Sequence, residues 1–377
     1  MKLVEIYTCA SNFQAKPTEE SLDCANQLLI QAKEQIAVAR REYPDSQRLR
    51  ISETLSLFYE AHLSFRCAAA YRDRGNFDMG LKHAANAAKL IEKLKEEIET
   101  YAPDDPQISL LKTLVPKLEL QVIKESLLLR LKKAETCLQS SNSQTRPNIR
   151  DLENAKNELN LAQPLLAILE TKLPADENLL KMQTEFYLLQ VSLAARFGRA
   201  FRESGDFDKG LDWTSAGISL IGEMGGALLP DDPGISSRLI ELTKETVHES
   251  IRLHLKAAET LLLGSAISEE RTQKANDHLS KVEAYYATNE VIRNIPFGIA
   301  HSIKTLLLQS FALLRSNVPT RIQLAEQKTA QAFEKLQAID SSNFDPALMP
   351  VINSCIQQVS TLRLVIFAQK LVSAPNS

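Results

Sequence analysis

Apolar positions recur along nearly the whole chain at the spacing of one helical face. Leu28, Leu29, Ala32, Ile36 and Ala39 form one stripe, and Leu127, Leu128, Leu131, Ala134 and Leu138 form another. Steps of three and four residues bring such positions to one side of an α-helix. Strand-like alternation bounded by Asn-Gly or Asp-Gly turns is absent, so the pattern predicts an all-α protein. Pro44-Asp45, Gly75-Asn76, Pro103 to Pro106 and the polar run Gln139 to Pro147 each fall between stripes. Signals of this kind divide the chain into about twelve helices. Ser140 to Pro147, polar and without an apolar anchor, is the best linker candidate. Pro116 and Pro164 sit inside otherwise helical patterns and should kink or restart their helices.

The strongest signal is an internal repeat. The segment RCAAAYRDRGNFDMGLKHAANAAKLI, from Arg66 to Ile91, aligns without a gap on RFGRAFRESGDFDKGLDWTSAGISLI, from Arg196 to Ile221. Arg66/Arg196, Arg72/Arg202, Gly75/Gly205, Phe77/Phe207, Gly80/Gly210 and Leu81/Leu211 are among the identical pairs. Downstream, PDDPQIS from Pro103 returns as PDDPGIS from Pro230, and KKAET from Lys132 as KAAET from Lys256. A weaker third copy begins near Ala275. The predicted organisation is an N-terminal segment 1–19, repeat 1 over 20–147, repeat 2 over 148–266 and a degenerate repeat 3 over 267–377, with four helices in each repeat.

Within this repeat, Ala68, Tyr71, Gly75, Phe77, Gly80 and Ala87 resemble the tetratricopeptide repeat, as do Gly198, Phe201, Gly205, Asp206, Phe207, Gly210 and Gly217 in the second copy. The resemblance covers the hairpins 61–94 and 191–224. Small residues there would let two helix backbones approach, and Gly75 and Gly205 would take the left-handed conformation that ends a helix. The sequence departs from that family in its repeat length and in having Ser64 and Ala194 where the family carries a bulky aromatic. What the resemblance implies is a tetratricopeptide-like α-solenoid, a superhelix of antiparallel helices that binds proteins on its concave face.

Composition narrows the classes. The 44 Lys and Arg nearly balance the 47 Asp and Glu, a net charge of -3, so no bulk charge attracts nucleic acid. Twelve glycines in 377 residues fall well below the usual share of about 7%, leaving little material for phosphate-cradling loops. Five cysteines, Cys9, Cys24, Cys67, Cys137 and Cys355, lie far apart without a CxxC spacing, which argues against disulfides and zinc. The N-terminus carries no apolar signal-peptide core. The longest uncharged stretch, Pro346 to Leu362, reads as too short and too polar to span a membrane, and a cytoplasmic location is expected.

The spacings that mark catalytic sites are missing. No GxxxxGK[ST], GxGxxG or GxSxG occurs, and Glu245-x-x-His248 has no second copy to complete a di-metal bundle site. The six histidines therefore read as surface residues, and the cluster Gly222 to Gly226 reads as a loop. No catalytic residue, cofactor or metal is expected.

The polar feature that stands out is an arginine stripe. Arg196, Arg199 and Arg202 recur every three residues on one helical flank, and Arg66 and Arg72 repeat the outer two. Guanidinium groups suit carboxylate and phosphate bidentately. They therefore stand as candidate contacts for an acidic or phosphorylated peptide, or alternatively as structural arginines paired with neighbouring carboxylates. Trp213, the sole tryptophan, aligns with His83 and is a candidate interface anchor. The expectation is a non-enzymatic scaffold or adaptor for a protein or peptide; the alternatives are an enzyme or small-ligand binder with a site between repeats, and a self-assembling structural protein.

Overall fold

The computed structural model describes residues 19–101, 105–142, 147–174, 176–227, 232–263, 268–288, 296–315, 318–339 and 348–373. Among these residues the backbone forms twelve α-helices and no strand, as the apolar periodicity predicts. They are α1 (Glu19–Glu42), α2 (Gln47–Asp73), α3 (Phe77–Glu99), α4 (Pro106–Asn142), α5 (Ile149–Lys172) and α6 (Glu177–Ser204). They continue with α7 (Phe207–Ala227), α8 (Pro233–Leu263), α9 (Glu269–Thr288), α10 (Pro296–Leu314), α11 (Pro319–Gln337) and α12 (Met349–Ser373). Of the linker candidate, Ser140 to Asn142 continue α4, and residues 143–146 lie outside the described ones.

The repeated Asp-Pro pairs explain two helix starts. Asp105 accepts from the backbone N–H of Gln107 at 2.9 Å, and Asp232 accepts from that of Gly234 at 2.8 Å. Each carboxylate satisfies first-turn donors that have no partner within the helix, and the following proline stands at the position where a missing N–H costs nothing. Asp176 caps α6 in the same way, through Asn178 and Leu179.

One expectation is corrected and another is narrowed. Gly222 to Gly226 are not a loop, because α7 continues to Ala227; Met224, 1% exposed, anchors that last turn against the core, and packing overrides the weak helix propensity of glycine. The helices also run unbroken through Pro116 in α4 and Pro164 in α5, so neither proline restarts its helix.

The chain folds as two compact units, one of residues 1–143 and 150–189, the other of 144–149 and 190–377, with the division inside α6. In the first, α3 buries Ala84, Ala87, Ile91, Leu94 and Ile98 at alternating steps of three and four. That stripe meets Ile108, Leu111, Val115 and Leu118 of α4 and Ile51 and Ala61 of α2. Each full burial of an Ile or Leu contributes about 1.5–3 kcal/mol. Leu22, Ala25 and Leu29 then seat α1 on Leu63 and Ala70 of α2.

In the second unit, Val247, Ile251, Leu255 and Leu262 of α8 pack with Ala275, Leu279 and Val282 of α9 and with Leu308 of α10. A further cluster joins Ile303 and Leu307 of α10, Ile322 and Ala325 of α11, and Val359, Leu362 and Ile366 of α12. Two helices among the described residues, α10 and α12, are long and apolar enough to cross a membrane by length and composition. Of the stretch Pro346 to Leu362, read as too short and too polar for this, residues 349–362 fall in α12, which runs on to Ser373, while Pro346 and Ala347 lie outside the described residues. Most of the α10 span is buried in the core, whereas α12 turns Leu364 and Phe367 to solvent.

Candidate functional site

The two repeated hairpins, α2–α3 and α6–α7, are built alike. Gly75 and Gly205 end the first helix of each with φ of +75° and +83°, where a Cβ would clash with the backbone. The N–H of Asn76 donates to Tyr71 O at 2.9 Å, and that of Asp206 to Phe201 O at 3.0 Å, closing both turns with the same bonds. Four residues into the second helix, Gly80 lies against Leu129 of α4 and Gly210 against Leu253 of α8. A Cβ on either glycine would stand 2.5 or 2.6 Å from the leucine methyl. The small residues therefore seat a third helix, the last of each repeat, onto the hairpin.

This third helix decides the fate of the arginines. Arg72 Nη1 donates to Glu125 Oε2 of α4 at 2.5 Å, and Arg202 Nε donates to Glu249 Oε1 of α8. Both glutamate side chains are buried, 7% and 5% exposed. Burial pushes the Glu125 carboxyl above its usual range, against the opposing pull of the Arg72 charge. Glu249 also lies 3.5 Å from Arg252 of the same helix, whose guanidinium caps the Phe297 ring at 4.2 Å. Charges held this deep require partners, because an uncompensated one costs several kcal/mol.

The remaining candidates differ in access. Arg199 is the exposed member of the stripe, 44% accessible, and pairs with Glu203 one turn on at 3.2 Å. Arg66 and Arg196 are half-buried; burial lowers the pKa of each guanidinium, and for Arg196 the charge of Glu245 opposes the shift. Trp213 is half-buried and stacks on Phe197 with centroids 4.4 Å apart; its counterpart His83 stacks on Tyr71 at 5.2 Å. The aligned position thus carries a planar ring on an aromatic of the first helix in both hairpins.

The histidines are not all surface residues. His254 and His301 are buried and the other four half-buried. Burial lowers His62 and His248 to about 4 and His254 and His301 to about 3. Their helical positions gave no warning, since His248 and His254 look like polar interruptions of α8, a helix covered on more than one side. Glu125 and Glu249, the stripe's principal partners, were also missed. A signal existed: the offset of 124 that pairs KKAET with KAAET also pairs these two glutamates.

Open grooves are among the depressions of the described surface. One of 360 Å³ is lined by Tyr286 of α9, Thr305 of α10 and Lys335 of α11, and one of 390 Å³ by Thr329 of α11 and Phe367 of α12. No protein-family model matches the chain, and no curated protein matches its sequence.

Proposed function

We propose that this chain is a non-enzymatic scaffold, a tetratricopeptide-like solenoid that holds a protein or peptide partner on one face of its helical array. The observation that carries the reading is the twofold construction of one three-helix assembly. A left-handed glycine turn, a glycine seated on a leucine of the last helix, and an arginine bound to a buried glutamate recur together in both copies. Stacked hairpins of this kind present long, rigid rows of side chains, which suits extended partners better than small substrates.

Arg199 is the member of the stripe best placed for an acidic or phosphorylated peptide, being exposed and paired with a neighbour one turn away on its own helix. Arg72 and Arg202 serve the fold in this reading. The test is affinity capture from cell extract with wild type and Arg199→Glu, after circular dichroism has shown equal helix content. Loss of a specific captured protein by the variant is the expected outcome. Equal capture by both forms removes the stripe from the contact, and capture by neither favours the enzymatic or self-assembling alternative.

A further inference from the structure

The two repeats join their last helix to the following helix differently. In the first copy, Arg130 Nη1 of α4 donates to Glu158 Oε2 of α5 at 2.7 Å, and Lys133 reaches the other oxygen at 2.8 Å. In the second, the residue aligned with Arg130 is His254, within the matched run LRLKKAET and LHLKAAET. Ala155, Glu158 and Leu159 of α5 stand where α9 has Ala275, His278 and Leu279, and the flanking alanine and leucine are buried in both. His254 Nδ1 and His278 Nδ1 lie 2.8 Å apart, one donating to the other. A neutral imidazole pair thus replaces an ion pair at one architectural position, and the lysine of the first copy has become Ala257.

We propose that the His254–His278 contact is a proton-sensitive clasp, which holds α9 on α8 near neutral pH and lets it loosen on mild acidification. Two neutral rings can share one N–H between their facing nitrogens. Two protonated rings cannot, because both Nδ1 atoms are then donors. The charged groups acting on the pair are Lys281 and Asp277 of α9 and Asp208 of α7. Lys281 opposes a proton on either ring, whereas the two aspartates favour one on His278 alone. Tyr285 of α9 sets its ring 6.3 Å from that of His254, and its hydroxyl accepts from Ser250. Burial is the largest influence against protonation of both imidazoles. The corresponding junction of the first copy, Arg130 with Glu158 and Lys133, contains no imidazole.

Hydrogen exchange of the full chain, read over the α9 peptides at pH 7.5 and 5.0 and corrected for the intrinsic pH dependence, tests this. One imidazole that titrates near 6.5 when released and near 3 in place gives roughly thirtyfold faster exchange at pH 5.0. The swap His254→Arg with His278→Glu, which installs the first copy's junction, is expected to abolish that acceleration. His254→Gln with His278→Gln, which keeps an uncharged hydrogen bond, should abolish it too. Unchanged α9 exchange in wild type overturns the proposal, as does undiminished acceleration in whichever variant folds. Titration of the His254 and His278 ring protons in wild type gives an independent reading: midpoints near 6.5 in the folded chain overturn the proposal as well.

Discussion

Thr214 occupies the space that Gly198 leaves open. A Cβ on Gly198 would stand 2.5 Å from the Thr214 methyl, and Thr214 is itself fully buried. The first copy solves the same helix crossing with Ala68 and Ala84, both buried. One partner gained a methyl-bearing side chain where the other lost one. Gly198→Ala should therefore destabilise the second unit by about 1–2 kcal/mol, overpacking outweighing the helix propensity gained. In the Thr214→Ala background the same change should be neutral or stabilising. A double-mutant cycle by urea denaturation measures the coupling, and additive effects would show that the two sites do not share this space.

The two arginine–glutamate links should respond unequally. Removing Arg202 leaves Glu249 with Arg252 at 3.5 Å, whereas Glu125 has Arg72 as its close cation among the described residues. Arg72→Ala is expected to cost about 3–5 kcal/mol and Arg202→Ala less. Adding Glu125→Gln should recover part of the first loss, because it removes the stranded charge. Denaturation midpoints of the four proteins decide the order.

Acid should weaken the fold through its buried histidines. His62, His248, His254 and His301 have folded pKa values lowered to about 4, 4, 3 and 3, so the unfolded chain binds protons first as pH falls below about 6.5. Stability is complete above that value and is lost as pH falls from about 6.5 to about 4 for His62 and His248 and to about 3 for His254 and His301, by up to about 1.4 kcal/mol per pH unit for each group. Three of the four lie in the second unit. Thermal melts at pH 7.5, 6 and 5 should show a falling midpoint led by that unit; a flat profile would mean that these rings are solvated.

Glycine substitutions should separate by backbone angle. Nothing within 4 Å would touch a Cβ at Gly75, Gly205 or Gly222. Gly75→Ala and Gly205→Ala should nevertheless cost about 1–2 kcal/mol, because both sit at positive φ. Gly222→Ala, inside α7, should stabilise by about 0.5–1 kcal/mol. Equal effects at the three sites would contradict the observed turns.

The orientation of α12 can be checked without any partner. Leu364 is 71% exposed and Leu362 is fully buried. Leu362→Ala should cost about 2–5 kcal/mol, and Leu364→Ser should stay within about 0.5 kcal/mol of wild type. Reversal of the two effects, read by denaturation, would place the helix the other way round.

The helical spacing of apolar positions, the Asp-Pro breaks between stripes and the glycine turns were legible because each acts within a few residues along the chain. Periodicity selects a helix, an aspartate caps the next two or three N–H groups, and a left-handed φ excludes a Cβ. The 130-residue offset likewise exposed the paired hairpins, since the same local solution was written twice. Long-range partners were not legible in the same way. Arg72 meets Glu125 across 53 residues, and Arg202 meets Glu249 across 47. Whether an arginine faces solvent or a buried carboxylate depends on which helix lies over it. The same holds for His254 and for the glycines near the end of α7, whose surroundings come from other helices. By itself the sequence determined helices, the breaks between them, turns and the repeat; burial, and with it the charge state and availability of each polar group, was decided only when the helices packed.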